Sequence, residues 1–235
     1  MFERIKKALS REPRDDAKET LGPASHMAGG AVSEWASTRG FGFSVSGDGG
    51  TLTLEGRIKG KRWRMELGPP SRDFIRGEEV RGRAELGIDE DAAVLILNRT
   101  LKEALEKKAY SIYTDQLQTT ADPNLPEEMR WLSMYDEVGW DGLPHEFWKR
   151  YAVLADRREN ALAWIDPALA AMMMDWPEPA PAAETPFMVM LLRGKAYLRM
   201  EYQPADMPTL QHAALIFTTA CEAALDGLST PVDRA

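Results

Sequence analysis

Five arginines stand where one face of a sheet would collect them. Arg57, Arg62, Arg64, Arg81 and Arg83 alternate with apolar or small residues in three short runs. A guanidinium is planar, permanently charged and able to hold carboxylate or phosphate oxygens in pairs. The chemistry such a set offers is recognition of an anion. Between Arg57 and Arg83 there are nine Lys or Arg against four acids, a net of +5. The whole chain is −8, so the remainder carries −13. That balance argues against a general nucleic-acid binder.

The residues that would do covalent or acid-base work are scattered. Cys221 and His212 lie nine residues apart on one predicted helix, a rise of about 13.5 Å, too far for a nucleophile and its base. His145 and Glu146 beside Pro144 read as the solvated start of a helix. Glu127 and Glu128 are neighbours in a first turn, where acids suit the helix dipole. Asp89, Glu90 and Asp91 lack the spaced ligands of a calcium loop. The three histidines have no metal-ligand spacing, so neither a metal nor a cofactor is expected. Gly47-Asp48-Gly49-Gly50 has no Lys-Ser/Thr ending and no helix after it, and reads as a turn.

Strands must position the arginines. Leu52, Leu54, Gly56 and Ile58 alternate with polar residues, and so do Trp63, Met65 and Leu67. A period of two marks a half-buried strand. Lys59-Gly60 supplies a two-residue hairpin loop. It sets Ile58 against Lys61, Gly56 against Trp63, Leu54 against Met65 and Leu52 against Leu67. The opposite face then pairs Glu55 with Arg64 and Arg57 with Arg62. Val80 to Leu86 adds a strand with Arg81, Arg83 and Glu85 outward. Phe41 to Ser46 reads as a strand leading into this meander. Ala92 to Leu97 reads as a strand buried on both faces. Phe187 to Leu192 and Ala196 to Tyr202 form a late hairpin around Arg193-Gly194, pairing Leu191 with Ala196, Val189 with Leu198 and Phe187 with Met200. The first of these strands is apolar throughout and belongs inside the sheet. The motifs after Gly60 and Gly194 look alike, as two converging hairpins or a duplicated unit would.

Helices fill the rest. One runs from Asn98 or Thr100 through Ala109, with Thr100 and Glu103 at capping-box spacing. A second starts at Pro126, with Met129, Leu132 and Tyr135 inward. A third starts at Pro144, with Phe147, Tyr151 and Leu154 on one face. Asp166-Pro167 opens a fourth, through Trp176. A final helix runs from about Asp206 to Leu225, with Leu210, Ala214, Phe217, Cys221 and Leu225 as its buried stripe. Val32 to Thr38 reads as a turn of helix. Trp131, Trp140, Trp148, Trp164 and Trp176 gather in the middle region; core packing explains them better than a ligand pocket.

The expectation is an α+β fold. A mainly antiparallel sheet, built from the N-terminal meander and the late hairpin, packs against a helical middle region and a C-terminal helix. The domain spans 31–228, behind a short basic amphipathic segment (1–11) and a flexible linker (12–30), with a tail at 229–235. In the first segment Phe2, Ile5 and Leu9 share a face and Lys6 and Lys7 are basic, a pattern for docking on a partner or on an anionic membrane surface. Neither a secretory leader nor a run of about 20 apolar residues is present, and one cysteine fits a reducing compartment. The cytoplasm is the expected location.

The favoured function is a non-enzymatic interaction or adaptor protein. It binds an acidic protein or other anionic partner through Arg57, Arg62, Arg64, Arg81 and Arg83. Two other readings stand beside it: an enzyme acting on an anionic small molecule, and a peripheral membrane protein anchored by residues 1–11. Nucleic acid ranks below these, because Trp63 faces inward and leaves the arginines without aromatic stacking partners.

Overall fold

Alternating apolar residues in the meander and late hairpin give antiparallel strands, and long-range pairing joins them into one sheet. The structure, a computed structural model, describes residues 23–46, 50–115 and 127–229. The elements in chain order are α1 (Pro23–Arg39), β1 (Gly42–Val45), β2 (Leu52–Ile58), β3 (Lys61–Gly68), β4 (Glu79–Glu85), β5 (Val94–Asn98), α2 (Arg99–Asp115), α3 (Glu127–Met134), β6 (Asp136–Glu137), α4 (His145–Arg150), β7 (Tyr151–Ala155), α5 (Arg158–Trp164), α6 (Pro167–Met174), β8 (Phe187–Leu192), β9 (Lys195–Glu201) and α7 (Met207–Gly227). The nine strands lie in the order β1-β2-β3-β4-β9-β8-β5-β7-β6, with every neighbouring pair antiparallel. The fold is mixed α+β, as expected.

Both hairpin registers follow the alternation. Gly56 faces Trp63, Arg57 faces Arg62 and Glu55 faces Arg64 in the first. Phe187 faces Met200 and Leu191 faces Ala196 in the second. The two loops place Lys59 and Gly60, and Arg193 and Gly194, at positive φ, the conformation that matches the twist of the flanking strands. The similar hairpins agree only in part: Met65 and Met200 both lie in the larger core and Arg64 and Arg199 both line the opposite face, whereas Trp63 lies in the larger core and Tyr197 packs against the smaller one. The single inserted residue accounts for the switch of face at Tyr197.

The two sheet faces are covered unequally. On one, α1, α4, α5, α6 and α7 enclose the large core, with Trp164, Phe217, Leu169 and Met173 at or below 1% exposure. On the other, α2 and α3 cover only the β8-β5-β7 half. Leu101, Leu105 and Trp131 meet Leu95, Leu97, Met188 and Met190 there. The β1 to β4 half of that face, with β9, has no helix over it among the described residues, and it carries the arginines.

Two expectations change. The helix read from Pro144 through Leu154 stops at Arg150, and Tyr151–Ala155 is strand β7, buried along its length between β5 and β6. A strand buried on both faces loses its alternation, so Phe147, Tyr151 and Leu154 match a helical spacing by chance. The segment read as linker to residue 30 contains the first turns of α1, because Pro23 opens a helix whose Ala-rich sequence continues it, Pro being suited to the first turn. In α3 the buried side chains are Glu128 and Trp131, with Leu132 and Tyr135 partly covered; the Met129 side chain lies outside the described set. Residues 1–22, Asp48 with its neighbours Gly47 and Gly49, and the tail from 230 also lie outside it.

Trp63 covers Gly56 so closely that a Cβ there would sit 2.6 Å from the indole ring. Gly56→Ala is expected to displace Trp63 and cost about 1–3 kcal/mol, read as a lower urea midpoint. An unchanged midpoint would show that the ring has room to move.

Candidate functional site

The outward positions of β2, β3, β4 and β9 form the floor of a broad, open trough of about 1150 Å³. Seven arginines line it (Arg39, Arg57, Arg62, Arg64, Arg81, Arg83 and Arg199) together with Glu55, Glu66 and Glu85, a net of +4 on a chain of −8. The structure thus brings together all five arginines singled out in the sequence and adds two. Alternation alone places Arg199 outward on β9, but only the β4–β9 pairing sets it against Arg81. Arg39 comes from the end of α1 and carries no sequence signal.

Strand pairing opposes arginine to arginine three times. Arg57 faces Arg62, Arg64 faces Arg83 and Arg81 faces Arg199. Directly opposed like charges are unfavourable, and carboxylates relieve two of these pairs. Glu66 bridges Arg64 at 2.7 Å and Arg81 at 3.0 Å. Glu85 accepts from Arg83 at 2.6 Å and lies 3.1 Å from Lys195. Each carboxylate is shared by two cations, so each trio keeps a charge of +1. The Arg64 and Arg83 side chains remain 55% and 58% exposed, so these pairs are screened and add little stability. Their guanidiniums remain reachable.

At the far end the trough is built on buried acid. Glu79 is fully buried; it holds Arg199 at 2.6 Å and accepts from the Ser71 amide at 2.6 Å. Arg199 also donates to Ser71 Oγ at 2.7 Å. The loop between β3 and β4 is pinned further by Arg72 to buried Glu128 and by the Arg76 amide to Glu201 at 2.6 Å. Glu128 therefore anchors a loop, beyond the first-turn role read from sequence.

The charge is uncompensated at the opposite end. Arg39, Arg57 and Arg62 are exposed, and among the described residues none of them forms an ion pair. Arg57 donates to the Gly60 carbonyl in its own turn at 2.9 Å. Glu55 is exposed nearby.

The residues with catalytic potential are elsewhere. Among the described residues no His or Cys lines the trough. Cys221 is fully buried on α7, and burial pushes its thiol far above the ordinary range. His212 contacts the Met172 carbonyl at 2.8 Å, and its ring packs at a 55° tilt against Trp176. Of the central tryptophans, Trp131, Trp164 and Trp176 are buried, and Trp164 donates to the Ala220 carbonyl at 2.8 Å. The cavity beside Trp176 and Tyr151 holds only about 10 Å³, so this cluster is core. Among the described residues there is no group of acids, His or Cys arranged to hold a metal, and no helix long and apolar enough to cross a membrane. The docking residues proposed near the start, Phe2, Ile5, Lys6, Lys7 and Leu9, lie outside the described residues.

No family model and no curated protein matches the sequence. Among solved structures, a match is found to the crystal structure of the mycobacterial trehalose monomycolate transport factor A, TtfA. Identity is 10% and the TM-score 0.46, over 86% of this chain and 97% of that chain. Likeness of this degree carries nothing about activity or partner.

Two outcomes test this geometry. Burial opposes ionisation of Glu85, but its bonds to Arg83 and Lys195 outweigh that and hold it below the usual carboxylate range. Its stabilising contribution is complete above the ordinary glutamate pKa of about 4.3 and fades as pH falls through the depressed value. A carboxyl-carbon NMR titration should place the Glu85 midpoint below that of free glutamate, and Lys195→Gln should raise it; a midpoint at the free value contradicts the trio. Glu79→Ala leaves Arg199 without its buried partner and should cost about 3 kcal/mol in urea unfolding, whereas a loss near zero would make that pair dispensable.

Proposed function

We propose that the protein is an adaptor that docks an acidic surface of a partner protein in the arginine trough. The observation that carries this reading is the net charge of +4 gathered on one uncovered half-face of an acidic chain. Exposed guanidiniums pair with carboxylates bidentately, and a complementary potential speeds encounter and selects partners. The openness of the trough favours a macromolecular surface over an enclosed small molecule. Two of its three carboxylates, Glu66 and Glu85, are engaged by cations, which leaves them poorly suited to proton transfer. This supports docking over the alternative of an enzyme acting on an anionic small molecule. The same reading places the protein in the cytoplasm, where a single cysteine stays reduced.

The test is a lysate pull-down with wild type and the Arg62→Glu/Arg64→Glu/Arg83→Glu variant, at low and moderate salt, with folding checked by circular dichroism. An acidic protein retained by wild type, lost in the variant and weakened by salt is the expected result. Equal retention by both proteins would make the arginines structural and end this reading.

A further inference from the structure

Among the described residues, the arginines without an ion pair lie beside a sheet edge that no further strand covers. The β1–β2 register ends at Gly42 opposite Glu55, where the chain turns through Gly40 into α1; Arg57 lies two residues beyond Glu55 on β2 and faces Arg62. Arg39, Gly40, Phe41 and Gly42 all line the trough, so it runs out over β1. On that face β1 offers only Gly42 and Ser44, both exposed, and among the described residues nothing bulky blocks approach from the side.

The edge itself is ready to pair. The Ser46 amide donates to the Thr51 carbonyl at 3.0 Å, beside the Val45–Leu52 pair. Antiparallel pairs alternate, so Ser44 and Gly42 exchange hydrogen bonds with β2. Phe43 and Val45 therefore aim their N–H and C=O groups away from the sheet. Val45 is also 48% exposed on the apolar face. Proteins blunt free edges with charge, proline or extreme shortness. The other edge, β6, follows that rule: it has two residues, Asp136 and Glu137. Strand β1 is Gly-Phe-Ser-Val and carries no charge.

We propose that an extended acidic segment of a partner protein adds to the β1 edge as a tenth strand. Its outward carboxylates meet Arg39, Arg57 and Arg62, and its alternate apolar side chains cover Val45 and Phe43. Main-chain hydrogen bonds supply affinity in this mode, and alternate side chains supply specificity. Glu55, opposite Gly42, sets the register by repelling acids there and favouring them toward Gly40. This inference rests on the docking role of the arginine trough and adds where and in what conformation the partner is held.

The experiment uses the full chain and two labelled peptides of equal composition, one alternating Glu with Val and one with the same residues in separate Glu and Val blocks. Binding is read by fluorescence anisotropy, and amide exchange of Phe43 and Val45 by NMR. The alternating peptide should bind about tenfold more tightly than the blocked one and should protect both amides. Val45→Pro removes an outward donor that β2 does not use, so the fold tolerates it while binding falls about tenfold. Arg57→Glu/Arg62→Glu should weaken binding comparably, and Glu55→Gln should strengthen it. If the arginine variant loses binding while Val45→Pro keeps it and the amides stay unprotected, strand addition is overturned and the arginine trough stands. If the arginine variant binds as wild type, the docking role and this inference fall together. Equal binding of the two peptides, or none by either, also overturns the inference.

Discussion

The antiparallel pairing of β4 with β9 holds the molecule together as one sheet. It joins residues 79–85 to 195–201 across most of the chain. The meander on one side and the β8-β5-β7-β6 group on the other meet only through it within the sheet. Its inner face is packed tightly: a Cβ on Gly82 would lie 3.0 Å from both Leu198 and the Phe217 ring of α7. Its outer face sets Arg81 against Arg199 and Arg83 against Tyr197. One pairing therefore serves the core and builds the trough.

The electrostatics of the trough follow from that register. A sheet that stacks arginine on arginine needs anions close by, and the fold provides some but not enough. Glu79, fully buried, fixes Arg199 at one end; Glu66 and Glu85 each serve two cations in the middle. Toward β1 the protein supplies no carboxylate partner to Arg39, Arg57 or Arg62 among the described residues. The gradient runs from arginines locked by buried acid to arginines left for solvent or another molecule. Fixing the first group costs desolvation that is recovered only with good geometry; leaving the second group exposed costs little.

The layer arrangement explains why this half-face is uncovered. Helix α2 follows β5 directly and packs back over it with α3, because Leu95, Leu97, Met188 and Met190 give them an apolar surface. The neighbouring strands offer charge on that side, and an ordinary amphipathic helix gains nothing by burying it. Tyr197, on β9, marks the boundary between the two halves.

Local chemistry alone determined the hairpins. Alternation, a Lys-Gly and an Arg-Gly turn, and the bare Gly56 under Trp63 settle both registers within a few residues of chain, and they place Arg57, Arg62, Arg64, Arg81 and Arg83 on a common side. The start of α7 near Asp206 and its apolar stripe were equally local. Tertiary structure decided the rest. Strand β7 is a strand only because β5 and β6 flank it, and its uniformly apolar sequence carries no period to tell strand from helix. Arg199 joins the trough through pairing with a strand far away in sequence, and Arg39 through the path of α1. Glu79 and Glu128 are buried because distant arginines arrive to meet them. Short-range periodicity records which way a side chain points from its own strand. Which strands lie side by side depends on packing between remote segments, and no local pattern encodes it.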